Sequence, residues 1–486
     1  MLKFKYAALC LLALFCTPVF AQLRLPKVLG SNMVLQRNQP VPVWGWVNPG
    51  KAVKVTFGGQ VKAAVADSSG YFKVVLNPLK ASAVPQVMFI TSDTSIVKLN
   101  NILVGEVWLC SGQSNMEYNL KLMKGYAKPA KGIDSAELEL TQNNPNIRLF
   151  KVEKKLSLPD VTTTVWSECK GEALELTSAA GYYFAKSIQE KLHVPVGVIA
   201  SSWGGSRIEP WTPPSGYAAL PAFAKEAAAG DQMQIDSMAP GKNYKSMIEP
   251  LAPFALHGVL WYQGESNAML NEPGMRYANK MQALVDSWRK QWGNEKMSFY
   301  SVLIAPYYYT KRKDKVPHTT ETLPLFWEQQ LQSIRIPNTG IITITDLVDD
   351  LRNIHPPYKW VVGRRLANLA LAKDYGFKNI LYSGPVYERM EVKGNEIILH
   401  FTNANGLKTT DGKAPDFFTI AGADGQFVDA QAQIAGNTII LSNPTISKPT
   451  TARFAWTEVA QPNLVNSAGL PAVPFRTNGL QWTYKK

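Results

Sequence analysis

The block Gly105-Glu-Val-Trp-Leu-Cys-Ser-Gly-Gln-Ser-Asn-Met116 runs from an apolar stretch straight into small polar side chains. Val107 to Cys110 reads as a short strand of a parallel sheet. Ser111-Gly112-Gln113-Ser114-Asn115 then falls at the C-terminal edge of that sheet, where open α/β sheets bind ligands. A serine at such an edge is either a nucleophile waiting for a base or the capping residue of a turn. Gly-Gln-Ser-Asn-Met lacks the second glycine of the Gly-x-Ser-x-Gly elbow, which disfavours an ordinary α/β-hydrolase. No CxxC, HExxH or clustered Cys/His spacing occurs, and His193, His257, His318, His355 and His400 are dispersed. No metal site is therefore expected.

The elements that must hold this block change character along the chain. Residues 1–21 read as a secretory signal peptide: Lys3 and Lys5 precede an apolar run, and Val19-Phe20-Ala21 ends on a small residue. The run is too short, and too interrupted by Pro18, for stable membrane insertion. An exported protein, periplasmic or extracellular, follows. Residues 22–103 form an N-terminal β module, with strands expected at Val41–Val47, Val53–Phe57, Val61–Val65 and Phe72–Leu76 between Gly, Asn and Asp turns. From 104 to 384 strands and helices alternate: a helix at Ala179–Leu192, and buried strands at Val196–Ala200, His257–Tyr262, Phe299–Ile304 and Thr339–Thr345. From 385 to 486 the period returns to two, at Ile397–Phe401, Asp416–Ile420 and Thr438–Leu441, which makes a second β module.

Composition narrows the class. With 46% hydrophobic and 18% charged residues the 486-residue chain is globular, not disordered. Its net charge of +14, +12 without Lys3 and Lys5, is scattered, and no basic helix points to a nucleic-acid partner. Lys311-Arg-Lys-Asp-Lys315 reads as a solvated loop. Beyond the leader only Cys110 and Cys169 remain, as one disulfide or two buried thiols. Oligomeric state is not legible.

Four blocks carry a resemblance that no single one would. Gly112-Gln-Ser-Asn-Met116, Ser201-Ser-Trp-Gly-Gly205, Trp261-Tyr-Gln-Gly-Glu-Ser-Asn267, and Ile354-His-Pro356 with Gly363-Arg-Arg-Leu-Ala367 resemble, in order, the blocks of the sialate O-acetylesterases, a branch of the SGNH hydrolases. The resemblance covers nearly all the chain beyond the leader. It implies an SGNH-hydrolase-like three-layer α/β/α domain flanked by N-terminal and C-terminal β-sandwich-like modules. It also implies a serine esterase without cofactor that removes O-acetyl groups from a glycan substrate, sialic acid first and acetylated xylan as the alternative. Ser114 is then the nucleophile and His355 the general base and acid, the other four histidines being structural. The oxyanion hole is implied to comprise the N–H of Ser114, the N–H of Gly205 and a carboxamide, Gln263 by preference, with Asn267 positioning ligand. Arg207 and Glu265 are placed on the substrate side, Arg207 either attracting a sugar carboxylate or standing as an exposed salt-bridged arginine, and Glu265 in a supporting role, pairing with a cation or accepting backbone hydrogen bonds if buried. Trp203, Tyr262, Tyr307, Tyr308 and Tyr309 either stack on sugar or pack in the core.

The chain departs from the pattern at the third member of a triad. Many SGNH hydrolases carry an aspartate three residues before the histidine, and relatives of this family one two before; here Arg352 and Asn353 stand there. Asp350, Asp349 or Asp346, five, six and nine residues upstream, orients His355 only if the loop folds back tightly; otherwise the carbonyl of Asn353 does so and the enzyme is a Ser–His dyad, which is the expectation. The missing acid is also the one feature favouring a silent, glycan-binding protein.

Overall fold

The computed structural model describes residues 23–93, 95–125, 129–130, 139–156, 158–163, 165–313 and 316–480. The expected signal peptide lies outside them. The N-terminal strands form as the alternation requires: β1 (Val34–Gln36), β2 (Val41–Trp46), β3 (Ala52–Phe57), β4 (Gln60–Val65), β5 (Tyr71–Leu76), β6 (Ser82–Ser92) and β7 (Ser95–Gly112). β2 and β5 pair antiparallel as one sheet, while β4, β3, β6 and β7 pair in succession, with β1 parallel to β7. Val53, Val55 and Phe57 of β3 and Phe72, Val74 and Leu76 of β5 are buried in one core. Removing every second side chain of each sheet from water is what closes a sandwich.

β7 joins this module to the centre. Its first half pairs with β6; from Glu106 it pairs with β10 (Val196–Ser202) and from Trp108 with β11 (Gly258–Tyr262). The expected boundary at 103/104 therefore falls inside one continuous strand. With β8 (Asn144–Lys151), β9 (Ser167–Cys169), β12 (Ser298–Val302) and β13 (Thr339–Ile342), the central order is β13-β12-β11-β7-β10-β8-β9, parallel except for β9.

Alternation along these strands builds two cores. Val107, Leu109 and Val259 face α4 (Arg276–Trp292) and α5 (Thr322–Gln332), whereas Trp108, Cys110, Val198 and Leu260 face α2 (Ala179–Leu192) and α6 (Lys359–Lys373). Helices on both faces make three layers, and β10 is buried at all seven positions, as a doubly covered parallel strand must be. α2 starts where Ser178 accepts from Gly181 N–H and ends at His193 in a left-handed cap. Cys110 and Cys169 are two buried free thiols.

The C-terminal residues form two four-stranded sheets, one containing Val386–Lys393 and Glu396–Thr402, the other Phe418–Ala421 and Thr451–Phe454, around their own core. This module grips the centre through Arg476 to Glu328 of α5 at 2.8 Å and Arg453 to Glu321 at 2.8 Å. Glu458 completes the joint, its carboxylate accepting from Thr310 N–H and its carbonyl from Tyr307 N–H. It thereby buttresses the segment following β12.

Candidate active site

The site grows from the end of β7. At Gly112, φ is +134° and a Cβ would lie 2.2 Å from the Tyr262 carbonyl oxygen, so only glycine lets β7 and β11 approach this closely. Gln113 N–H donates to that carbonyl at 3.0 Å, and the chain turns into the one-turn helix α1 (Ser114–Glu117). β7 also divides the sheet: the chain first adds β8, β9 and β10 on one side of it and then β11, β12 and β13 on the other. Ser114 thus sits over a topological switch point.

His355 reaches Ser114 from the loop between β13 and α6, with Nε2 2.8 Å from Ser114 Oγ. Both residues are half-buried. In the tautomer protonated at Nδ1 the hydroxyl donates to Nε2, the arrangement general-base activation needs. Burial, and secondly the Lys359 ammonium, lower the His355 pKa to about 4.

The expected orienting groups meet other partners. Asn353 Oδ1 accepts from the His355 backbone N–H at 3.0 Å. Asp349 accepts from Tyr358 Oη at 2.6 Å and from Ala130 N–H at 2.8 Å, while Asp350 pairs with exposed Arg352. Asp346 is held by Arg365. Among the described residues no carboxylate lies within hydrogen-bonding distance of the imidazole.

A tight turn at 203–206 supplies the opposite wall. Trp203 N–H donates to Gly112 O, Gly204 N–H donates to Glu117 Oε2 at 2.7 Å, and Gly205, at φ +74°, is exposed with open space around it. Glu117, one turn after Ser114, thus ties this turn to the serine's own helix.

The carboxamides of the third block lie behind the cleft. Gln263 is fully buried: its Nε2 donates to Gln113 Oε1, Asn267 Oδ1 and Ser206 O, and its Oε1 accepts from Tyr277 Oη. Asn267, also fully buried, accepts from Ile208 N–H and donates to Glu209 and Glu272. Neither amide has an N–H left for an oxyanion. Gln113, missed in the sequence, has its Oε1 held by Gln263, Gly264 N–H and Ser266 N–H, which orients Nε2 away from them.

The residues expected beside substrate are engaged in internal contacts. Arg207 forks onto Glu209 and donates to two backbone carbonyls. Glu265 is 1% exposed and accepts from Asn115. Glu209, Glu272 and Asp236 have the spacing to hold a cation, but Lys280 Nζ stands among them at 2.6, 2.6 and 2.5 Å. Tyr262 and Tyr309 are core residues; Trp203, Tyr307 and Tyr308 are partly open. Of the other histidines, His193 caps α2, His257 stands between Glu106 and Asp374, His318 packs on Tyr309, and His400 meets Glu391.

Asn115 and Lys359 were also missed. Asn115 lies inside a recognised block, but nothing local in the sequence marks Lys359, four residues after His355, as fully buried.

A parallel sheet covered on both faces, with a serine–histidine pair at its switch point, defines an SGNH-hydrolase-like domain suited to acyl transfer. The model of the family described as carbohydrate esterase, sialic acid-specific acetylesterase matches residues 104–372. The chain is similar to the crystal structure of a carbohydrate acetylesterase from Xanthomonas citri, at 33% identity and TM-score 0.81, covering 94% of this chain and 100% of that one. It is 28% identical to the sialate O-acetylesterase of Homo sapiens and 27% to that of Pongo abelii, covering 93% of this chain and 92% of each relative. The chain belongs to the carbohydrate esterase, sialic acid-specific acetylesterase family and is a carboxylic ester hydrolase.

Proposed function

We propose that the protein is an exported serine esterase that removes O-acetyl groups from sugars, O-acetylated sialic acids first. The observation that carries this reading is the 2.8 Å contact between Ser114 Oγ and His355 Nε2 at the switch point. Ser114 Oγ attacks the acetyl carbonyl while His355 takes its proton; the tetrahedral intermediate collapses, the bond to the sugar oxygen breaks, and His355 returns the proton to the leaving hydroxyl. Water then attacks the acetyl-serine with His355 again as base, releasing acetate. The N–H groups of Ser114 and Gly205 receive the oxyanion, and Gln113 Nε2 is the third donor, held by Gln263 from behind. Asn267 in turn fixes Gln263.

The imidazole works without a carboxylate, its loop held by the Asn353 side chain at the His355 N–H. Sialic acid is preferred over xylan because the family description and the curated relatives name it. Export rests on the composition of residues 1–21, and among the described residues no helix is long and apolar enough to cross a membrane.

The test compares wild type with Ser114→Ala and His355→Ala on 4-nitrophenyl acetate, 9-O-acetylated sialic acid and acetylated xylan. Both variants should lose at least about a thousandfold in kcat. Comparable activity in either variant would remove the Ser–His mechanism, and faster acetate release from xylan would reassign the substrate.

A further inference from the structure

Behind the serine and the histidine lies a buried polar chain. Lys359, the first residue of α6, has no exposed surface and donates from Nζ to Asn115 Oδ1 at 2.5 Å. Asn115, equally buried and next to Ser114, donates from Nδ2 to Glu265 Oε1 at 2.5 Å and to the Ile354 carbonyl at 3.0 Å. One carboxamide therefore links the helix of the serine, the loop of the histidine and a lysine–glutamate pair. The Tyr118 and Tyr262 rings face the ammonium at 5.0 Å, and Tyr118 also lies 6.3 Å from the imidazole.

Burial lowers the Lys359 pKa to about 7 while the Glu265 carboxylate opposes the shift, so the side chain carries its charge below neutral pH. The facing titratable groups are Glu265 from α3 (Glu265–Ala268), Tyr262 from β11, Tyr118 after α1, and His355 itself. Glu265 reaches Lys359 only through Asn115, and its Oε2 has no hydrogen-bond partner. No described carboxylate hydrogen-bonds to His355; burial lowers its pKa first and the Lys359 ammonium second.

We propose that Lys359 is a positioning residue for the reaction: through Asn115 it locks the His355 loop against the helix of Ser114, and it carries its charge beside the joint that holds the imidazole. The inference rests on the Ser114–His355 reading above. In a triad a carboxylate holds the ring and favours the imidazolium; here the loop is held at the His355 backbone N–H, and a like charge opposes resting protonation. The enzyme then keeps its base available well into the acidic range, at some expense of imidazolium stabilisation in the transition state.

The sign follows from the like charge: a cation near a base lowers its pKa, so neutralising the cation raises it. The experiment is the pH dependence of kcat/KM for 4-nitrophenyl acetate in wild type, Lys359→Gln, which can still donate to Asn115, and Lys359→Met, which cannot. Wild type should lose activity as pH falls through about 4. Both variants should move that acid limb up by about one unit, and Lys359→Met alone should also lose about tenfold or more in kcat at pH 8. An acid limb unmoved in both variants overturns the inference. NMR titration of His355 in the unaltered protein needs no variant to fold, and a midpoint at or above the ordinary histidine value of about 6.5 overturns it too. Failure of the underlying reading looks different, because His355→Ala would then keep its activity.

Discussion

Replacing Lys280 by Met tests whether the charge cage behind the cleft is held together as its geometry implies. Nζ has no exposed surface and stands 2.6 Å from Glu209, 2.6 Å from Glu272 and 2.5 Å from Asp236. Glu209 is fully buried and Glu272 nearly so, while Asp236 is partly open and shared with Arg276. Methionine fills similar space, so the loss is electrostatic: carboxylates left in low dielectric with Arg207 as the remaining close cation on Glu209. Removing one partner of a buried pair destabilises by about 3–5 kcal/mol. At roughly 2 °C per kcal/mol for a large domain, Tm should fall on the order of 6–10 °C.

The pH dependence of that loss identifies its cause. Lys280 is the main influence lowering the Glu209 pKa against burial, and it also opposes the upward shift at Glu272. Without it the folded-state carboxyl pKa values rise above their unfolded values. The variant then binds more protons folded than unfolded, and its stability falls as pH rises through the raised values. The gap from wild type should be small near pH 4.5 and widen toward pH 8. Calorimetry at the two pH values reads this directly. A Tm change under about 2 °C, or one equal at both pH values, would refute the reasoning. The carboxylates also hold Asn267, which holds Gln263, which holds Gln113, so kcat should fall alongside Tm.

Asp349→Asn and Asp350→Asn should each retain most of kcat, since Asp349 serves Tyr358 and Asp350 serves Arg352; a loss of about a thousandfold from either would establish a carboxylate triad. Gln113→Leu should cost about 10² to 10³ in kcat with little change in KM, and less than a threefold effect would leave the oxyanion to the two backbone donors. Burial pushes the Cys110 and Cys169 thiols up to about 12. The native protein should therefore be inert to a thiol reagent and unchanged in Tm by reductant, both thiols reacting on denaturation; rapid native reaction would contradict their burial.

Much of the architecture is legible because it rests on local periodicity. The Ala179–Leu192 helix has the bounds its apolar spacing requires, and the expected strands at 53–57, 61–65 and 72–76 form within a residue of their limits. Other features rest on pairing partners that local reading does not supply. Residues 82–103 carry a long hairpin that the local pattern did not reveal, because much of it is an exposed face with mixed polarity. Continuity of β7 across the expected 103/104 boundary is likewise a matter of which strands lie beside it.

The sequence by itself determined the residue types and the edge at which they gather: a serine after a buried strand, a glycine turn, and a histidine before a helix. Those depend on short-range pattern, and four ordered blocks suffice to recognise it. Tertiary structure alone decided which side chains have hydrogen-bonding capacity left. Gln263 and Asn267 are turned inward by partners tens of residues away, Gln113 is turned by those same contacts, and Lys359 is buried against Asn115, 244 residues earlier in the chain. A polar side chain's role is set by which of its donors and acceptors remain unmatched, and that follows only once distant segments have packed.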